Sequence, residues 1–155
     1  MTKRLPWPAE AGNGYWYIRK MAKKIKQLFT VFIDYGLAAQ NPAMVDKLLP
    51  RIEATAREIL LTCRQIQSTR NGYWPKWAVV ALEDTTILAD EILDYTGQIR
   101  AAYRFGNYRL MYSLSTVGHR YGQKIEQVLV EGPPPPEQTT IRALINETFA
   151  QENWE

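Results

Sequence analysis

His119 is the chain's one histidine, so a Ser/His/Asp relay would have to be assembled around it, with a nucleophile on one side of the imidazole and an orienting carboxylate on the other. Nothing in its neighbourhood supplies that set. It falls on the polar side of a helical pattern near Tyr112 and reads as a residue facing solvent or nucleic acid. Five carboxylates, Glu83, Asp84, Asp90, Glu91 and Asp94, crowd one short stretch, and Asp90 and Asp94 stand one helical turn apart. A bundle-type di-metal site takes Glu-x-x-His pairs, which the chain lacks. The stretch therefore reads as a solvated acidic face or a surface meeting a basic neighbour. Cys63 is the only cysteine, which excludes an intrachain disulfide and a cysteine-rich zinc site, and its apolar neighbours indicate a buried packing role. Neither a G-x-x-x-x-G-K-[ST] loop nor a G-x-G-x-x-G fingerprint occurs. These residues make up no catalytic constellation, so the expectation is a protein that binds rather than catalyses, without metal or cofactor.

The residue types that do recur are cations and aromatics. Over 99–124, Arg100, Arg104, Arg109, Arg120 and Lys124 interleave with Tyr103, Phe105, Tyr108, Tyr112 and Tyr121. Guanidinium groups grip phosphate oxygens in fork geometry, and tyrosines stack on bases or donate a hydroxyl to the backbone. The competing account makes the tyrosines core or boundary residues and the arginines a solvated face. A second cationic window supports the polyanion reading. Between Glu10 and Asp34 there are five Lys/Arg and no acid, as there are between Asp94 and Glu126, while the segment from Glu126 to Glu155 holds six acids against Arg142 alone.

Helices must position these groups. Over 15–37 the residues Ile18, Met21, Ala22, Ile25, Leu28, Phe29, Phe32 and Ile33 recur at spacings of three and four, the period of a helix with one buried face. Lys20, Lys23, Lys24 and Gln27 fall on the opposite face, with Arg19 and Lys26 on its flanks. Asn41-Pro42 signals an N-cap and a first helical residue. Pro50 is expected to kink or break that helix, which resumes over 51–68. Asn71-Gly72 marks a turn, Pro75 opens a helix over 76–103 in which Gly97 weakens the last turns, and Gly106-Asn107 precedes a helix over 107–130. Leu110, Leu114, Val117, Tyr121, Ile125 and Val128 form its expected inner face. Gly118 and Gly122, one turn apart, lower its helical stability but admit another backbone at close range.

The expected architecture is an all-α bundle of four to five helices in a single domain. It comprises an N-terminal loop (1–14), a bundle (15–130), a proline-rich linker (131–136) and a short terminal helix (137–150) carrying Ile141, Leu144, Ile145 and Phe149. A chain of 155 residues is long enough to bury a core without cross-links. No apolar run approaches a membrane span and no apolar stretch follows the basic N-terminus, so a soluble, cytoplasmic protein is expected. A helical patch without a base-reading motif implies sequence-independent backbone binding.

A small, basic, all-helical protein with these cationic windows, an acidic strip and no catalytic set resembles the small subunit of CRISPR RNA-guided effector (Cascade) complexes, the type I-D branch in particular. The resemblance is carried by the helical layout over 15–130 and the windows 19–26 and 100–124. The opening LPWPAEAGNGYW reads like a loop inside a longer protein, which fits a small subunit resembling the helical C-terminal part of a large subunit. The resemblance implies several copies stacked beside other subunits of the complex, holding DNA or the guide RNA backbone in a positive groove while base pairing reads sequence. Arg19, Lys20, Lys23, Lys24, Arg100, Arg104, Arg109 and Arg120 would line that groove, and the acidic strip would face a neighbour. The alternative is a helical protein-interaction module whose basic face docks an acidic protein or an anionic membrane surface.

Overall fold

The structure is a computed structural model that describes residues 14–69 and 74–131. It contains four α-helices, α1 (Gly14–Val31), α2 (Pro42–Ser68), α3 (Lys76–Arg104) and α4 (Tyr108–Glu131), with a π-helical segment, Phe32–Leu37, prolonging α1. Each helix packs on the next and α4 returns against α1, so α1 and α3 lie on a diagonal of an up-down-up-down four-helix bundle. The expected linker and terminal helix, like most of the N-terminal loop and the Asn71-Gly72 turn, lie outside the described residues. Among the described residues no helix is long and apolar enough to cross a membrane.

The helix ends follow local chemistry. Asn41 has extended backbone geometry and its Oδ1 accepts from the Met44 amide at 3.4 Å, with Pro42 at the first helical position. At the other end of α3, Gly106 takes the left-handed conformation (φ 65°), which costs a residue without Cβ nothing. Its amide donates to the Tyr103 carbonyl and the Asn107 amide to the Ala102 carbonyl, both at 2.9 Å, the paired bonds of a Schellman stop. Asn107 then caps α4, its Oδ1 accepting from the Leu110 amide at 3.1 Å.

A break at Pro50, an α-helix carried to residue 37 and an inward Leu110 are the sequence expectations that the structure corrects. α2 runs unbroken through Pro50. The proline sits on the exposed side while Leu49 and Ile52 beside it are buried, so core packing on both sides holds the helix and solvent meets the carbonyl that the proline leaves without a donor. The α1 pattern ends as α-helix at Val31 and goes on in π turns over Phe32–Leu37, after which the Ala38 amide donates to the Ile33 carbonyl at 2.9 Å. Leu110 is exposed rather than inward, and Met111 occupies the core position instead. α3 continues through Gly97 to Arg104.

All four helices contribute to one core. Ile18, Ile25 and Phe29 of α1 meet Leu49, Ile52 and Ile59 of α2, Leu82, Leu88, Ile92 and Ile99 of α3, and Tyr121 of α4, all essentially without solvent contact. Gly118 and Gly122 do permit the close approach that their spacing suggests. A Cβ on Gly118 would collide with the Phe29 ring, and one on Gly122 would stand 3.1 Å from Ile25. Tyr15 Oη donates to the Leu129 carbonyl, which seats the start of α1 beside the end of α4.

Candidate nucleic-acid interface

The packing of α1 decides which of its cations reach solvent. With Ile18, Ala22, Ile25 and Phe29 inward, Lys20, Lys23, Lys24 and Gln27 are exposed on the far side, as the helical period requires. None of the three lysines has an ion-pair partner among the described residues. The flanking cations are engaged. Lys26 Nζ pairs with Glu126 of α4 at 3.0 Å, both half-buried, and Arg19 lays its guanidinium over the Trp16 ring at 5.0 Å and the Tyr15 ring at 5.9 Å.

The aromatics on this face escape the sequence reading. Trp16 is 60% exposed and Tyr17 40%, and they stand about one turn before Lys20 and two before Lys24. Tyr17 Oη donates to Glu58 of α2 at 3.3 Å, and its hydroxyl pKa is raised, by desolvation first and by the Glu58 charge second. The signal for both rings is the same wheel that assigns the lysines to solvent, extended one turn upstream. A run of tryptophan, tyrosine and three lysines along one helix face offers base-stacking surfaces next to phosphate-binding charges.

The 99–124 window divides differently. Arg100 is exposed but forms a two-pronged pair with Glu53 of α2, its Nε donating to Oε2 at 2.8 Å and its Nη2 to Oε1. That bond, more than any other cause, holds the Glu53 carboxyl below the usual carboxylate range. Arg100 therefore ties α2 to α3, on the side of the bundle away from α1, and its charge is already matched. Tyr121 is wholly buried, edge-on to Tyr95 at 5.7 Å. Tyr103 is half-buried, meets Tyr108 edge-on at 6.5 Å, and directs its hydroxyl to the Pro42 carbonyl at 3.4 Å. For these three tyrosines the core-or-boundary account holds. Arg104 and Arg109 are exposed on either side of the α3–α4 turn, around Phe105, whose ring is 87% exposed.

Arg120 is exposed on α4, at a shallow cleft of about 270 Å³ shared with Thr30, Ile33, Asp34, Thr116 and His119. His119 is half-buried there, and its pKa is lowered by desolvation first and by Lys26 and Arg120 second, so near neutral pH it presents an uncharged imidazole. The structure thus leaves Lys20, Lys23 and Lys24 exposed on the outward face of α1 and Arg109 and Arg120 exposed on α4. At about 1.5 Å per residue, Arg109 and Arg120 are roughly 16 Å apart along α4. Arg100 is not part of that group, and Arg104 sits at the bundle's end. Four exposed cations of α2, Lys47, Arg51, Arg57 and Arg64, went unnoticed in the sequence because acids interrupt them.

The acidic strip is only partly a surface. Glu83, Asp90 and Asp94 are exposed, Glu91 is half-buried with its pKa raised by desolvation and then by Asp94 and Asp90, and Asp84 is buried. Asp84 points inward because it shares the inner face of α3 with Leu88 and Thr85. Cys63 is buried and its thiol is pushed up to about 11 by desolvation, which makes it unreactive at neutral pH. Among the described residues no group of three or more His, Cys, Asp or Glu side chains is placed to hold a metal ion. No protein-family model, curated protein or solved structure matches this chain.

Proposed function

We propose that this chain is a non-catalytic nucleic-acid-binding subunit of a CRISPR RNA-guided effector complex, working in the cytoplasm and holding target or displaced DNA by sequence-independent contacts. The outward face of α1 carries the reading. Three lysines without partners among the described residues stand beside two exposed aromatic rings, a pairing that suits a single strand whose bases are free to stack. Arg109 and Arg120 add exposed cations on α4. Asp90 and Asp94, on the diagonal helix, suit contact with a basic surface of a neighbouring subunit or of another copy of the chain. Fluorescence anisotropy of a labelled single-stranded oligonucleotide at two salt concentrations tests this. Binding that is indifferent to sequence and weakens at least about tenfold between 50 and 200 mM salt is expected, and no binding at low salt would overturn it.

A second reading rests on the opposite end of the bundle. Phe105 and Leu110 are both exposed at the α3–α4 turn, at 87% and 45%, next in sequence to Arg104 and Arg109. Such a corner suits docking to a protein surface that is apolar at its centre and acidic at its rim. It is compatible with subunit contacts in a complex and, without nucleic acid, defines a protein-interaction module.

A further inference from the structure

The outward face of α1 has two edges, and they differ in charge. Toward α4, Lys26 is matched by Glu126, and Asp34 shares the cleft of Arg120 and His119. Toward α2, Tyr17 Oη donates to Glu58 at 3.3 Å, and this contact fixes which residues line the seam between α1 and α2. Seven residues make nearly two turns of helix. Lys24, seven after Tyr17, therefore keeps the face of Tyr17, and Arg51, seven before Glu58, keeps the face of Glu58. Because the two helices run antiparallel, Lys24 and Arg51 are displaced by the same ~10 Å in the same direction from the touching pair and stand level across the seam. The helices are still together beyond that level, where a Cβ on Gly36 would stand 3.5 Å from Val45.

In sequence α2 mixes its cations with Asp46, Glu53 and Glu58, but the fold sorts the signs onto different edges. Glu53 turns to α3, where it holds Arg100. Asp46 also faces α3, being the second cause, after desolvation, of the raised hydroxyl pKa of Tyr103. Lys47 and Arg51, one turn apart, are left on the α1 edge, both exposed and without an ion-pair partner among the described residues. Glu58 shares that edge two turns from Arg51 and is engaged by Tyr17. Packed helix axes lie about 8–10 Å apart, so Lys24 and Arg51 set two like charges within about one Debye length of each other, ~10 Å at 0.1 M salt. Near that level on the opposite edge the fold places the matched pair Lys26–Glu126. Here the two charges repel, and an anion between them relieves the repulsion.

We propose that the α1–α2 seam is a track for the sugar–phosphate backbone of a single strand, with Lys24 and Arg51 gripping phosphate from either side. Lys20 lies one turn to one side of that pair and Lys47 one turn to the other. The Tyr17 ring, 40% exposed and held by Glu58, takes a base at the Lys20 end. The track rests on the nucleic-acid reading above and extends it from one helix face to two, leading away from α4.

The seam can be tested without nucleic acid. In the full chain at low salt, Arg51→Gln is expected to raise the denaturant midpoint by removing the repulsion, and to lose that gain in a Lys24→Gln background. No gain, or the same gain in both backgrounds, would overturn the facing arrangement. Binding of a labelled single-stranded oligonucleotide is then compared between K47Q/R51Q and R57Q/R64Q, the second removing the same charge from the α3 edge of the same helix. K47Q/R51Q is expected to weaken binding about tenfold and to make the dependence of log affinity on log salt shallower by about 1.4, two phosphate contacts at about 0.7 each. R57Q/R64Q is expected to change affinity by no more than about twofold. Equal losses in the two variants, or none in K47Q/R51Q, would overturn the track while binding by the parent chain keeps the α1 reading. A parent chain that binds no oligonucleotide at low salt would remove both.

Discussion

The outward face of α1 and the 99–124 window contain the same ingredients, arginine or lysine mixed with aromatic residues and no acid in the local sequence, yet the fold uses them differently. On α1 the lysines that project outward have no ion-pair partner among the described residues, and the rings beside them stay exposed. In the later window the fold supplies partners from elsewhere in the chain. Glu53 of α2 meets Arg100, Tyr95 meets Tyr121, and the start of α2 meets Tyr103. Absence of acids in the local sequence is therefore a weak guide to an open cation, because the neutralising carboxylate can sit on another helix.

The sharpest break in that comparison comes from the two sets of aromatics. Tyr121→Ala is expected to cost about 3–5 kcal/mol of stability, as the loss of a large buried ring does, read as a lowered denaturant midpoint. Trp16→Ala is expected to leave the midpoint nearly unchanged and to weaken single-strand binding about fivefold to tenfold, one lost stacking contact being worth about 1–3 kcal/mol. A destabilising Trp16 variant with intact binding would put that ring in the core's account rather than the interface's.

The smallest effect is expected at the matched cation. Arg100→Ala is predicted to cost less than about 1 kcal/mol and to leave oligonucleotide affinity unchanged. Because Glu53 titrates lower in the folded protein than in the unfolded chain, its pair stabilises the fold above the ordinary carboxylate range, and that contribution fades as pH falls through the lowered folded value. Glu53→Gln is accordingly expected to be slightly less stable than the parent at neutral pH, with a difference that shrinks as pH falls through the lowered folded value, read from denaturant midpoints across that range.

Much of the fold was legible in the sequence for local reasons. Asn41, Pro42, Pro75, Gly106 and Asn107 stop and start helices by chemistry confined to a few residues, and the α1 stripe dictates which lysines face water. What stayed hidden depends on partners distant in sequence. Pro50 passes through α2 because Leu49 and Ile52 are held by other helices, and Leu110 yields its inward position to Met111 because of the phase in which α4 meets α1. The candidate face was half legible, its lysines by the helical period and its Trp16 and Tyr17 by the same period carried one turn upstream, to the start of α1.

The central claim is that α1, and not the 99–124 window as a whole, is the polyanion surface. The direct measurement is a parallel anisotropy titration of one labelled single strand with K20E/K23E/K24E and with R100E/R104E/R109E, each checked for an unchanged helical circular-dichroism spectrum. The account predicts at least about thirtyfold weaker binding for the α1 variant and no more than about threefold for the other, in line with the number of phosphate contacts each removes. The reverse order, or equal losses in two folded variants, would contradict it.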